Sequence, residues 1–359
     1  MGARGAIKIR PPAAIKSYIN QGIIPLFRQL PAAAVARRYL VDVRAPQSRR
    51  NSTLGLKISL LCLHLGGVDG VPNKSANGGG RANETAPMNR GAAAGGGLRD
   101  LDDPVQVRKA IRAGTFRGFT NAVASGFVQG NLVVVPEAQA DAFAEYCRLN
   151  SQPLPIIGRS RVGDPTIPQL GMDMDLRTDV GGYMVFRDGK LVATPTEIRD
   201  IWRDDFVAFV LGCSFSFEAM LPGFGVRLRH REEGNVSAMY VTNIDTVSAG
   251  PFGGKLVVSM RALRPNDAIT ATLVSARYPQ FHGAPIWIGI PKMIGIDDLA
   301  NSYGGHGLTS LNADEIPVFW ACGATAQIAA LQARLPICIT HYKAHMVVTD
   351  VPLPNGAGP

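Results

Sequence analysis

The sequence is short of cysteine, of charge and of long apolar runs. It has five cysteines in 359 residues: Cys62, Cys147, Cys213, Cys322 and Cys338. Their number is odd and their spacings wide, with no Cys-x-x-Cys pair. This excludes a disulfide framework or a structural zinc ribbon and points to a reducing compartment. No stretch reaches the ~18 apolar residues that span a bilayer. The nearest, "LGLKISLLCLHLGG" at 54–67, is interrupted by Lys57 and His64, so a membrane partner is not expected. There is no Gly-x4-Gly-Lys-Ser/Thr loop, and no Gly-x-Gly-x-x-Gly lies between a strand and a helix. Nucleotide hydrolysis and a dinucleotide cofactor are therefore unsupported.

Charged residues make up only 18%, and the formal net charge of +9 is unevenly placed. Residues 1–87 hold 13 Lys and Arg against 3 Asp and Glu, a net of +10; the remaining 24 basic and 25 acidic residues net −1. A nucleic-acid-binding surface needs its basic patch on the folded part, so nucleic acid is not an expected partner. Residues 1–100 read as a disordered basic extension rich in Ala, Gly and Pro. Two origins fit its first 87 residues: a transit-like segment, which would make the protein mitochondrial, or a start placed too early, with Met88 the true start and the protein cytoplasmic.

What is present is a 46% hydrophobic chain, long enough for one large or two modest domains. From about Leu101 the pattern becomes regular. "DDPVQVRKAIRAG" reads as a helix with Asp103 as N-cap, Pro104 in the first turn and Gly114 past the end. "NLVVVP" (131–136) reads as a buried strand, and 136–150 as a helix burying Ala140, Phe143, Ala144 and Cys147. "TPTE" at 194–197 has the form of a capping box. Ile198, Ile201, Trp202, Phe206, Phe209 and Val210 follow it at helical spacing, which predicts a helix from Thr194 with Asp205 on its apolar side. Residues 254–263, 284–290, 316–323, 336–340 and 346–350 read as strands, and 264–277 and 324–334 as helices. The alternation predicts an α/β protein over 101–355: a parallel or mixed sheet with flanking helices, in two α/β subdomains.

Several stretches could carry chemistry. "GMDMDLRTDV" (171–180) alternates strictly, so as a strand it would put Asp173, Asp175, Arg177 and Asp179 on one face. That face could hold a divalent metal or grip a carboxylate through Arg177; a solvated, ion-paired face reads the same way. "LGCSFSFEAM" (211–220) brings Cys213, Ser214 and Ser216 together but fails the Gly-x-Ser-x-Gly elbow. His282 sits in a turn beside Gly283, where an acid–base histidine or a structural one fits. Cys322-Gly323 ends a strand before a helix, where free backbone N–H groups favour a ligand. In "CITHYKAHMVVTD" (338–350), His341 and His345 stand at i and i+4, but strand-like residues on both sides make them the flanks of a tight loop. Tyr342 stands where a His-Glu-x-x-His zinc site needs Glu.

These blocks together resemble one family. "NLVVVP", "GDPTIPQLGMDMDLRTDVGGYMVFRDGKLV", "WRDDFVAFVLGCSFSFE", "RHREEGNVSAMYVTNI", "LVVSMR", "HGAPIWIG", "EIPVFWACG" and "ITH…HMVVTD" are similar to the YcsI-like hydro-lyases, also called the D-glutamate cyclase family, over about 104–350. The resemblance implies a two-part α/β fold and a lyase that removes water, closing D-glutamate to 5-oxo-D-proline. On that reading His341 or His345 is the general base and the other the acid or orienter. Arg177 and Arg261 hold carboxylates, and Asp175 orients Arg177. His282, Asn243, Ser216 and Cys322 are further pocket contacts. The expected partner is a small carboxylate substrate, no cofactor is required, and a homo-oligomer is open. The competing reading is a non-catalytic module that binds a small carboxylate and regulates a partner. Two loops depart from the family pattern. Ala122, Ser125 and Phe127 replace Gly, Pro and Tyr in "GFTNAVASGFVQ", and Tyr342, Lys343 and Ala344 replace Ala-Pro-Gly between the two histidines.

Overall fold

Residues 102–354 are described by a computed structural model. The basic extension read over 1–100 and the start at Met88 lie outside the described residues. Helix α1 (Pro104–Arg112) begins as its sequence dictates, with the Asp103 carboxylate accepting the Val105 N–H at 2.9 Å. Strand β1 (Phe127–Pro136) follows and is buried over nearly its whole length, and helix α2 (Glu137–Leu149) buries Ala140, Phe143, Tyr146 and Cys147.

Strand β1 is the spine of a seven-stranded sheet. The other strands are β2 (Ile156–Arg159), β3 (Tyr183–Arg187), β4 (Lys190–Ala193), β5 (Phe206–Gly212), β10 (Cys338–His341) and β11 (Val347–Pro352). The order is β2-β5-β1-β10-β3-β4, and β11 also pairs with β1. Between β5 and β10 the chain builds helices α3 (Ser214–Met220) and α4 (Arg229–Glu232) and then a second sheet. That sheet has four strands in the order β6-β7-β9-β8: β6 (Ala238–Asp245), β7 (Lys255–Leu263), β9 (Ile316–Ala321) and β8 (Trp287–Ile288). Helix α5 (Pro265–Ser275) leaves β7, and α6 (Thr325–Ala333) leaves β9.

The α/β class with flanking helices is therefore as the alternation predicts. Strand direction is not: every ladder between named strands among the described residues is antiparallel. Alternating strands and helices imply parallel pairing only where successive strands become neighbours through a crossover. Here sequence neighbours β9 and β10 lie in different sheets, so the helix between them crosses no single sheet.

The helix expected from Thr194 is also replaced. Only Arg199–Ile201 forms a 3-10 turn, and Phe206 to Gly212 is strand. Leu132, Val134, Phe206, Ala208 and Val210 enter one core, and Val133, Val135, Val207, Phe209 and Leu211 enter another across the sheet. A strand buried on both faces has no polar alternate positions, so its apolar run also satisfies a helical template. Asp205 needs no buried partner: it is partly exposed and pairs with Arg203 at 2.7 Å. A third core joins Val128 of the large sheet to Leu263, Val318 and Trp320 of the small one. Among the described residues no helix is long and apolar enough to cross a membrane.

Candidate active site

The site begins with a gap in a ladder. Strands β10 and β11 lie along the same edge of β1, β10 pairing at Val133↔Thr340 and β11 at Gly130↔Val347. Between these registers residues 342–346 loop out, opposite Asn131 and Leu132. A buried N–H left by such a gap must find a partner, and the imidazole of His341 supplies it: Leu132 N–H donates to His341 Nδ1 at 3.2 Å. With Nδ1 an acceptor, the proton of the neutral ring sits on Nε2. Burial pushes the His341 pKa down to about 4. A protonated ring would turn Nδ1–H to the Leu132 carbonyl oxygen, 3.4 Å away.

His341 lines a narrow cavity of about 50 Å³. Asn131, Cys213, Ser214, Ser259, Cys322 and Gln327 line it too, with Lys343 of the 342–346 loop. Its wall thus comes from the first residues of α3, the middle of β7 and the first turn of α6. Gly323 is needed here, because a Cβ at that position would lie 2.3 Å from the Asn131 amide. Asn131 uses that amide to donate to the Gly212 carbonyl at 2.9 Å, which leaves its own carbonyl oxygen as an acceptor. The Gln327 side-chain oxygen is buried without a hydrogen-bond partner. Such an atom is costly unless something fills the space beside it.

Behind the two serines lies a buried charge network. Arg261 is 1% exposed. Its Nε and Nη2 donate to Glu218, Nη1 donates to the Ser259 hydroxyl at 2.6 Å and carbonyl at 3.0 Å, and Nη2 also donates to Ser214 Oγ at 2.7 Å. A guanidinium has five N–H groups, and all five are used. The expected role for Arg261, gripping a substrate carboxylate, is therefore corrected: it has no donor to spare. Instead it holds Ser214 and Ser259 as acceptors, so their own O–H groups are free to donate. Trp320 and Phe217 face its charge at 5.2 Å. Burial alone would raise the Glu218 pKa, but Arg261 and then His230, whose Nε2 is 3.1 Å away, hold it at about 2.

The other expected site residues fall elsewhere. Residues 171–182 form turns rather than a strand, so the shared acidic face does not exist. Asp173 pairs with Arg108, Asp179 with Arg112 at 2.6 Å and Asp175 with Arg177 at 2.8 Å. Helix α1 thereby fastens this loop. Asp175 does bind Arg177, but neither lines the cavity. Among the described residues no group of three or more His, Cys, Asp or Glu is arranged to hold a metal. His282 is buried with its Nδ1–H donating to the Gln152 carbonyl at 2.9 Å, away from the cavity lining. Asn243 is exposed on β6. Ser216 Oγ accepts the Gln129 N–H at 3.0 Å and so stitches α3 to β1. His345 Nδ1–H donates to the Lys343 carbonyl at 2.7 Å, its Nε2 lies 3.5 Å from the Arg117 carbonyl, and the ring packs on Gly181, where a Cβ would lie 2.6 Å from it. It anchors the loop and does not line the cavity.

The loops around 120 and 342–346 meet at this point. Thr120 N–H donates to the Ala344 carbonyl at 3.0 Å, and Met346 N–H to Thr120 Oγ1 at 3.1 Å. Ala344 has φ +61°, a left-handed conformation that glycine adopts freely. Ala344→Gly is expected to stabilise the fold by about 0.5–1 kcal/mol, the relief of strain exceeding the flexibility added to the unfolded chain. Urea denaturation of the pair checks this. Lys343 brings a half-buried amine to the cavity, donating to Gly304 O at 3.3 Å, and burial lowers its pKa.

A family model described as D-glutamate cyclase matches residues 207–350. A Methylobacterium radiotolerans protein titled "Putative hydro-lyase" is 49% identical over 264 residues, covering 74% of this chain and 97% of its own. A Rhodopseudomonas palustris protein with the same title is 52% identical over 247 residues, 68% of this chain and 90% of its own. A solved structure, of a nitrogen repressor-like protein from Methanococcus jannaschii, matches with a TM-score of 0.32 at 12% identity over 68% of this chain and 94% of that one, too low to carry an argument. An α/β fold with a lined cavity is a setting in which small-molecule sites are commonly built. The chain belongs to the D-glutamate cyclase family of hydro-lyases.

Proposed function

We propose that the cavity removes water from a small amino or hydroxy dicarboxylate, with closure of D-glutamate to 5-oxo-D-proline as the first reaction to test. The observation that carries this reading is the mixture of free groups in one buried space. The Ser214 hydroxyl and His341 Nε2–H are donors, while Asn131 Oδ1 and the unpartnered Gln327 Oε1 are acceptors. Donors suit a carboxylate, and acceptors suit an ammonium or hydroxyl group on the same molecule. Family membership supports the reaction class.

Ring closure needs a bent substrate, a carboxyl group made electrophilic and a stabilised oxyanion. A neutral His341 is a weak base but a good donor, so its role here is to hold the oxygen on which negative charge develops, as a neutral imidazole can. The Ser214 hydroxyl shares that task. The general base first assigned to His341 or His345 is therefore reassigned in this proposal. Free thiols at Cys147, Cys213, Cys322 and Cys338 suit a reducing compartment, and we place the protein in the cytoplasm.

The test is turnover of D- and L-glutamate and of hydroxy dicarboxylates, read as the mass loss of one water. Wild type is expected to act on at least one of them, and His341→Ala to lower kcat about 10²–10³-fold, the loss seen when one oxyanion donor is removed. Tight carboxylate binding by wild type with no turnover would sink the hydro-lyase reading in favour of a binding module.

A further inference from the structure

The cavity holds two thiols that the reading above leaves unused. Cys213 lies between β5 and α3, and Cys322 between β9 and α6. The two junctions share one build: strand, cysteine, helix. At each, the N–H two residues further on faces the sulfur, Phe215 for Cys213 and Ala324 for Cys322. Both sulfurs belong to residues lining the same cavity, and they are close enough that charge on Cys322 opposes ionisation of Cys213. The unpartnered Gln327 oxygen lies in the same wall and independently marks the space as one built for a ligand. Cys147 and Cys338 differ: they are core residues whose thiols feel burial alone.

The two cavity thiols are not equivalent. Cys213 is 5% exposed, and burial pushes its pKa up to about 12. Cys322 is half-buried with Sγ 3.7 Å from Met239 Sδ. Burial raises its pKa as well, aided by the Glu218 charge, and the Ala324 N–H, the Arg261 charge and the Ser259 hydroxyl offset only part of that rise. A bound ammonium group beside it would add a further positive charge, and positive surroundings favour a thiolate.

We propose that Cys322 and Cys213 are the proton-transfer pair of this site, Cys322 accepting a proton from the substrate and Cys213 giving one to the departing oxygen. This rests on the hydro-lyase reading. For glutamate bound as ammonium and carboxylate, Cys322 thiolate takes one ammonium proton and Cys213 thiol protonates the γ-carboxylate. The nitrogen lone pair forms the new C–N bond. The C–O bond then breaks with its electron pair going to the leaving hydroxyl, which takes the second nitrogen proton and departs as water. The products are the lactam, water, Cys322 thiol and Cys213 thiolate. A proton returns from Cys322 to Cys213 through solvent at the mouth before the next turnover. The inference explains why the histidines need not be bases: one is tied to carbonyls outside the cavity, and the other is held neutral as a donor.

The test uses the full chain: wild type, Cys213→Ser, Cys322→Ser and the core control Cys147→Ser, with the substrate panel above. Each cavity variant is expected to lose about 10²–10⁴ in kcat with KM little changed, the usual worth of a positioned acid or base, while Cys147→Ser keeps its rate. Iodoacetamide on wild type is expected to alkylate Cys322 ahead of Cys147, Cys213 and Cys338 and to abolish turnover, with D-glutamate slowing the reaction. The alkylation keeps the test informative if a serine variant fails to fold. An active wild type whose Cys213→Ser or Cys322→Ser form stays within about tenfold overturns the pair alone, as does alkylation of Cys322 that leaves turnover intact. A wild type inactive on the whole panel overturns the hydro-lyase reading, and the pair with it.

Discussion

Acidification from pH 6.5 to 4 is expected to remove on the order of 5 kcal/mol of stability, a large part of the 5–15 kcal/mol typical of a folded protein. The cause is the burial of His341 and His282, each lowered to about 4. In the unfolded chain both take a proton near pH 6.5. In the native state neither does until pH 4. Between those values the unfolded state binds up to two more protons, so stability falls as pH falls. Each proton is worth about 1.4 kcal/mol per pH unit. His345, also lowered by burial, adds in the same direction. Glu218 extends the loss to lower pH. Its native pKa is held at about 2 against 4.5 for a free carboxyl group, so its contribution is present above 4.5 and lost as pH falls toward 2. Urea denaturation at half-unit intervals would show it. His282→Asn should roughly halve the slope between pH 6.5 and 4, because asparagine tolerates the left-handed backbone at φ +78° and carries no titrating proton. A flat stability profile from pH 7 to 4.5 would contradict the buried neutral state of both rings.

Arg261→Met is expected to cost about 3–5 kcal/mol, since it strands the Glu218 carboxylate in the core. Glu218 is fully buried, and Arg261 supplies its two closest donors. The methionine chain replaces the stem of arginine with little change in packing, so the loss measures the orphaned charge more than a cavity. The double variant Arg261→Met, Glu218→Leu removes both charges and should be more stable than the single one, leaving His230 without its partner. Turnover should be lost in both, because Ser214 and Ser259 lose the group that orients them. Denaturation of the four-member cycle tests the coupling. An Arg261→Met protein as stable as wild type would mean that Glu218 is not charged in the fold.

Much of the scaffold was legible because its signals are local. Asp103, Pro104 and Gly114 bound α1 as their chemistry requires. The β-branched runs at 131–136 and 346–350 are strands, and the loop between His341 and His345 sits where strand-like flanks put it. Residues 171–180 misled for a physical reason. Strict alternation says which side chains would share a face if the backbone were extended, but Asp175 and Asp179 accept backbone N–H groups of their own segment, at 2.9 Å for Arg177 and for Asp175. Those bonds make turns instead.

By itself the sequence determined the α/β class, the Asp103 cap of α1, the family and the absence of nucleotide motifs, because each depends on residue types at fixed local spacing. It also placed Cys322 between a strand and a helix, but the apolar run before Cys213 reads as a helix, so the matching junction there was visible only in the structure. Only the tertiary structure decided which polar residues share a cavity. Two sheets brought β1, β7 and the starts of α3 and α6 together across more than a hundred residues of chain. Contacts of that kind arise from burial and ladder pairing between distant segments, and pairing direction is set by which strands become neighbours. The same assembly turned Arg261 from a candidate ligand for substrate into a buried support, by surrounding it with acceptors drawn from α3 and from its own strand.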